Sequence, residues 1–111
     1  MQGFEELQRM YRVALVEKCA LLEHDWRELL AGAEPELHAQ SLRRQLHQLS
    51  GSAGAYGYDA MGEMARDLEK TWVQWLGHAN DRRPDALALT RRLDPLMNTL
   101  LAALRAAAQA D

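Results

Sequence analysis

The sequence predicts an all-α protein, and three observations carry that prediction. Ile is absent, and Val13, Val16 and Val73 with Thr71, Thr90 and Thr99 are too few β-branched residues for a sheet of ordinary make-up. Ala, Leu, Arg, Glu and Gln dominate, and these are the good helix formers. The 7 Gly and 3 Pro are few and clustered, so they serve as punctuation between helices.

The first helix is predicted from about Phe4 to Leu30, with Phe4, Leu7, Met10 or Tyr11, Ala14, Leu15, Leu21, Leu22 and Leu29 approximating a 3.6-residue period. Gly32 occupies the position just past a helix end, and Pro35 suits the first turn of the next helix. That second helix, about Pro35 to Ala55, places Leu42, Leu46, Leu49 and Ala53 on one stripe, and Gly54, Tyr56 and Gly57 close it. Asp59 is the expected cap of the third helix, which turns Met61, Met64, Ala65, Leu68, Trp72, Trp75 and Leu76 inward before Gly77 ends it. His78 to Arg83 makes the one long loop. Pro84 and Asp85 restart the chain into a last helix with Leu89, Leu93, Leu96, Met97, Leu100, Leu101 and Leu104 inward. Pro95 either kinks that helix or splits it in two, and the Ala-rich tail from Ala102 is expected to fray. Four apolar stripes on short connections pack most simply as an antiparallel up-down-up-down four-helix bundle. With 111 residues, positions 1–111 support one domain and one core.

Charge and cysteine content exclude several functions. Thirteen Lys and Arg against sixteen Asp and Glu leave a net charge of −3, the opposite of a general nucleic-acid binder. Cys19 is alone, so no internal disulfide forms and a reducing, cytoplasmic location is expected. Glu5 and Glu6 stand where a signal peptide needs basic and then apolar residues. Leu96 to Ala110 is interrupted by Asn98 and Arg105 and is too short to span a membrane.

Enzyme chemistry lacks a constellation. No pair among His24, His38, His47 and His78 has zinc-protease spacing and no second thiol exists, so no metal site is expected. His24 and His78 read as solvated, and His38 as flanking the core. Gly51-Ser52-Ala53-Gly54 resembles a phosphate-cradling loop only superficially, because no Gly-Lys-Ser/Thr follows and it continues a helical period. Trp72 and Trp75 read as core anchors; Tyr56 and Tyr58 either fill the end of the bundle or belong to a docking surface.

His47 stands apart. At 100° per residue its imidazole points about 130° away from the centre of the second helix's apolar stripe, hence outward. Gly51 follows one turn later and Gly54 two turns later. Each glycine inside a helix costs about 1 kcal/mol relative to Ala. Close packing or an early helix end explains them; so does clearance for another protein to reach the imidazole. Arg43 and Arg44 add positive charge one turn earlier, which suits an atom that carries a phosphoryl group.

The run His47-Gln48-Leu49-Ser50-Gly51-Ser52-Ala53-Gly54-Ala55-Tyr56-Gly57 resembles the signature of histidine-containing phosphotransfer (HPt) domains, His-x-Leu-Lys-Gly with small residues and a Gly ten positions after the His. Leu42, Leu46, Met61 and the pair Leu68-Glu69 also fall where that family has apolar positions and a Leu-Glu. The resemblance implies a phosphorelay intermediate and not an enzyme in its own right. His47 takes a phosphoryl group from an aspartate of one receiver domain and passes it to another. Glu69 holds the second ring nitrogen, and Gly51 and Gly54 clear the approach. It implies no cofactor in this chain, with Mg²⁺ supplied by the receiver. The implied partners are a response-regulator receiver domain and a hybrid sensor histidine kinase; the chain itself is expected to be monomeric. Ser50 departs from the family's Lys, so phosphoryl stabilisation is expected to shift onto Arg43 or Arg44. An HPt-like binding module without phosphotransfer, competing for a kinase or receiver, is the rival that Ser50 favours and His47 opposes. A purely structural bundle leaves Gly51 and Gly54 unexplained.

Overall fold

Good helix formers fill the segments between the turn residues of this chain. In the computed structural model, which describes residues 2–110, the result is four α-helices: α1 (Gln2–Leu30), α2 (Pro35–Ser52), α3 (Asp59–Gly77) and α4 (Ala86–Gln109). Short 3-10 turns at Gly54–Tyr56 and Asn80–Arg82 join α2 to α3 and α3 to α4, and no strand occurs among the described residues. At the first corner Gly32 adopts φ 74°, its N–H donates to the Leu29 carbonyl and the Ala33 N–H to Glu28, the paired bonds of a Schellman cap. Asp85 caps α4 by accepting from the Ala88 N–H at 3.1 Å.

The core is one cluster fed by all four helices. Tyr11, Leu15, Cys19, Leu22, Trp26 and Leu29 form the buried stripe of α1; Ala39, Leu42, Leu46 and Leu49 that of α2; Met61, Ala65, Leu68, Trp72 and Trp75 that of α3. From α4 come Leu89, Met97, Leu100, Leu101, Leu104 and Ala107. Trp72 is fully buried, with Trp26 and Trp75 set edge-on to it at 6.1 and 5.8 Å. At the other end Tyr11 stacks on Tyr56 at 4.2 Å and lies 6.1 Å from Tyr58, so these tyrosines fill the end of the bundle. Gln8 Nε2 donates to the Tyr56 carbonyl at 2.8 Å and Tyr11 Oη shares a hydrogen bond with Ser52 Oγ, tying α1 to the turn after α2. Burial pushes the Tyr11 phenol and the Cys19 thiol up from their ordinary values.

Several expectations are corrected. Phe4, Leu7 and Met10 are exposed, because α4 ends with Ala108 and Gln109 beside Val16 and Cys19 and leaves nothing to cover the turns before them. Ala14 and Leu21 also face solvent, whereas Cys19 and Trp26 complete the inner stripe. α2 stops at Ser52 and tightens into the 3-10 turn instead of reaching Ala55. Asp59 is the first residue of α3 and its side chain caps nothing; Tyr58 holds the cap position. α4 is continuous through Pro95 instead of splitting there. Pro95 lies on its exposed face, away from the neighbouring helices. The tail beyond Ala102 stays helical to Gln109, because Leu104 and Ala107 are buried.

Polar contacts fix the pairing of the helices. Trp26 Nε1 donates to Asp94 Oδ1 at 2.7 Å, and Arg105 pairs with Glu23, holding its carboxyl below the usual range. Arg83 clamps the α3–α4 connection: its guanidinium lies 4.6 Å from the centre of Trp75, donates to the Leu76 and His78 carbonyls, and meets Glu36 at 3.3 Å.

Candidate functional site

The middle of α2 and the middle of α3 meet on the flank of the bundle. Leu46 and Leu49 anchor one side and Ala65 and Leu68 the other, all fully buried. Gly62 is buried against α2 at one end, where a Cβ would make ordinary van der Waals contact at 3.5 Å from Ala53 Cβ and 3.6 Å from the Ser50 carbonyl oxygen. The residues next to these anchors, His47 on α2 and Glu69 on α3, are thereby brought face to face.

His47 Nδ1 lies 2.7 Å from Glu69 Oε2, with the histidine side chain 71% exposed and the glutamate 15% exposed. A carboxylate only accepts, so Nδ1 carries the proton and donates, which leaves the Nε2 lone pair free. Ser50 Oγ donates to the His47 carbonyl at 2.9 Å and stands 3.5 Å from Glu69 Oε1. The hydroxyl that replaces the family's ammonium is therefore turned toward its own helix and the glutamate.

An open groove of about 510 Å³ runs beside the imidazole, lined by His47, Ser50, Gly51, Arg66, Glu69, Lys70, Val73 and Gln74. Gly51 forms part of its wall, and a Cβ built there meets nothing within 4 Å. Gly54 belongs to the 3-10 turn, where a Cβ would touch Asp59 Oδ1 at 3.4 Å. Arg43 is half-buried and Arg44 exposed on the preceding turn of α2; neither lines the groove. The cations that do are Arg66 and Lys70, both exposed on α3. They are spaced three before and one after Glu69, a pattern visible in the sequence once Glu69 is placed against His47.

A second polar cluster joins α1 to α2 and contains His38, with His24 beside it. Asp25 is buried; His38 Nδ1 lies 2.9 Å from its Oδ1, while Ser41 Oγ and Gln45 Nε2 donate to Oδ2 at 2.7 and 2.6 Å. The signal for it was available, since Asp25 falls three residues after Leu22 and four before Leu29, on the buried stripe. His78 lies in the α3–α4 connection with Nδ1 2.6 Å from the Gln74 carbonyl.

No helix among the described residues is long and apolar enough to cross a membrane. No curated protein and no solved structure matches the chain significantly. The model of the Hpt domain family matches residues 6–107, nearly the whole length. An all-helical four-helix bundle bearing an outward histidine thus coincides with a family match across all four helices, and the chain belongs to the Hpt domain family, the histidine phosphotransfer modules of two-component phosphorelays.

Proposed function

We propose that the chain is a phosphorelay intermediate that carries a phosphoryl group on Nε2 of His47 between receiver-domain aspartates. The observation that carries this reading is the contact between His47 Nδ1 and Glu69 beside an open groove, within a chain that matches the Hpt family. The Nε2 lone pair attacks phosphorus as the bond to the receiver's aspartyl oxygen breaks, and the carboxylate leaves as an anion. The ring keeps its Nδ1 proton and becomes positively charged, and Glu69 stabilises that charge where it develops. Transfer onward reverses these events. The receiver brings the Mg²⁺ and carboxylates that the reaction needs, so this chain works as a carrier.

The pairing of α1 residues 23 and 26 with α4 residues 105 and 94 supports an antiparallel, up-down-up-down course. A kink at Pro95 belongs to the same reading. So do a monomeric, cytoplasmic carrier and a hybrid kinase as the source of phosphate. Incubation with a panel of phosphorylated receiver domains tests the function. The expected result is label on this chain that is lost in acid and survives alkali, as a phosphoramidate does. If no receiver transfers label while several bind, the chain is the docking competitor that Ser50 favours.

Phosphoryl stabilisation falls to Arg66 and Lys70, which line the groove, together with Arg43 or Arg44 reaching over from the preceding turn. A combined Arg66→Ala and Lys70→Ala change is expected to slow transfer about tenfold, about 1.4 kcal/mol of transition-state stabilisation, and to flatten its salt dependence. The Arg43→Ala, Arg44→Ala pair is expected to do less, and Ser50→Lys to restore part of the rate in the α3 variant. Stopped-flow transfer at low and high salt reads all three. A wild-type rate in the α3 variant at both salt concentrations assigns the charge stabilisation to the receiver alone.

A further inference from the structure

The geometry points to a second site, outside the phosphotransfer groove: His24, Asp25 and His38 form a binding site for a divalent cation of the zinc class. The residues come from the end of α1 and the start of α2, and one candidate donor atom from each lies within 4.8 Å of the other two. Donors on one tetrahedral zinc, with bonds of about 2.0–2.2 Å, stand about 3.4 Å apart. His38 Nδ1 and Asp25 Oδ1, now 2.9 Å apart, need to part by only about half an ångström to straddle such an ion. His24 must also swing inward, and its side chain is exposed; its ring centre is 5.7 Å from that of His38.

The surroundings match a metal site. Ser41 and Gln45 hold Asp25 Oδ2 and leave Oδ1 to the ion, the outer hydrogen bonding that orients carboxylate ligands. The Oε1 of that Gln45 amide is sealed from solvent with no donor among the described residues, while its Nε2 lies 2.6 Å from Asp25 Oδ2. A helix-to-helix staple accounts for the Asp25–His38 pair, but not for His24 beside it. Two imidazoles with one carboxylate select zinc or a neighbouring transition metal over Mg²⁺ or Ca²⁺. On binding, zinc takes the place of the proton between Nδ1 and Oδ1; in the neutral ring that proton moves to Nε2.

Titration of Zn²⁺ into the untagged full-length chain, followed by calorimetry and by thermal melting, tests the site. One ion per chain is expected with micromolar or tighter affinity, insensitive to excess Mg²⁺, and with a melting temperature that rises as zinc is added. His24→Ala is the decisive variant, because His24 makes no hydrogen bond among the described residues and its loss leaves the metal-free fold intact. It is expected to weaken binding at least roughly tenfold. His47→Ala is expected to bind zinc as the wild type does. Absence of saturable binding, wild-type affinity in His24→Ala, or loss of binding in His47→Ala overturns the proposal.

Discussion

A His47→Gln variant is expected to accept no phosphoryl group from any receiver while folding as the wild type does. The loss is complete because Gln has no nucleophilic ring nitrogen, and no other histidine is equipped to replace His47. His38 has its Nδ1 against the buried Asp25 and a side chain only 12% exposed. His78 has Nδ1 on the Gln74 carbonyl, so its ring faces no carboxylate able to stabilise the cation formed on phosphorylation. His24 is exposed, but its immediate neighbours are His38 and Asp25 on the α1–α2 seam, away from the groove cations of α3. Stability should change by no more than about 0.5 kcal/mol, the usual range for a surface substitution. His47 is exposed and its ring holds one partner, Glu69, which a Gln amide also reaches by donating from Nε2. Radiolabel transfer beside circular dichroism reads both halves. Acid-labile label on the variant moves the acceptor to another histidine, and acid-stable label on Ser50 or Ser52 ends the phosphorelay reading.

The parts of this protein legible in its sequence are those decided by one helix at a time. A 100° step between residues turned His47 away from Leu42, Leu46 and Leu49, and the helix boundaries at Leu30, Pro35 and Gly77 followed from turn residues. What depends on two helices at once was less visible. Phe4 and Leu7 keep an apolar period with Tyr11 and Leu15, yet whether the period is buried depends on where α4 ends, which α1 does not encode. Asp25 falls on the buried stripe of α1 between Leu22 and Leu29, but that Ser41 and Gln45 of α2 arrive to satisfy it in the interior is not written in α1. Ser50 shows the same limit at the site. By composition it is a lost cation; in the fold its hydroxyl donates to the His47 carbonyl, and the positive charge of the groove comes from α3.

Replacing Gly51 by Leu separates the two reasons for a glycine one turn after the phosphoacceptor. If the glycine serves close packing, a side chain must collide with a neighbour; a Cβ at this position meets nothing within 4 Å, and the residue is in regular helix without positive φ. Packing therefore does not require it. Gly lies about 0.8–1.0 kcal/mol below Ala in helix propensity and Leu close to Ala, so Gly51→Leu should leave stability equal or raise it by up to about 1 kcal/mol. The functional effect has the opposite sign. A long side chain on a helix leans toward the N-terminus and covers the turn before its own Cα, which here is the turn of His47. Leu would stand in the groove wall between an approaching receiver and Nε2, and a displacement of even about 1 Å from attack geometry costs roughly 100-fold in rate. Transfer from a phosphorylated receiver should thus fall at least about 100-fold in Gly51→Leu, with Gly51→Ala intermediate. A small donor such as phosphoramidate needs no docked protein, so it should still label His47 in the Leu variant at a rate near that of the wild type. Equal loss with both donors would mean that Leu disturbs the imidazole or its bond to Glu69. Undiminished receiver transfer in a well-folded Gly51→Leu protein would mean that the partner approaches from another side and that the open space above Gly51 is no part of the docking path.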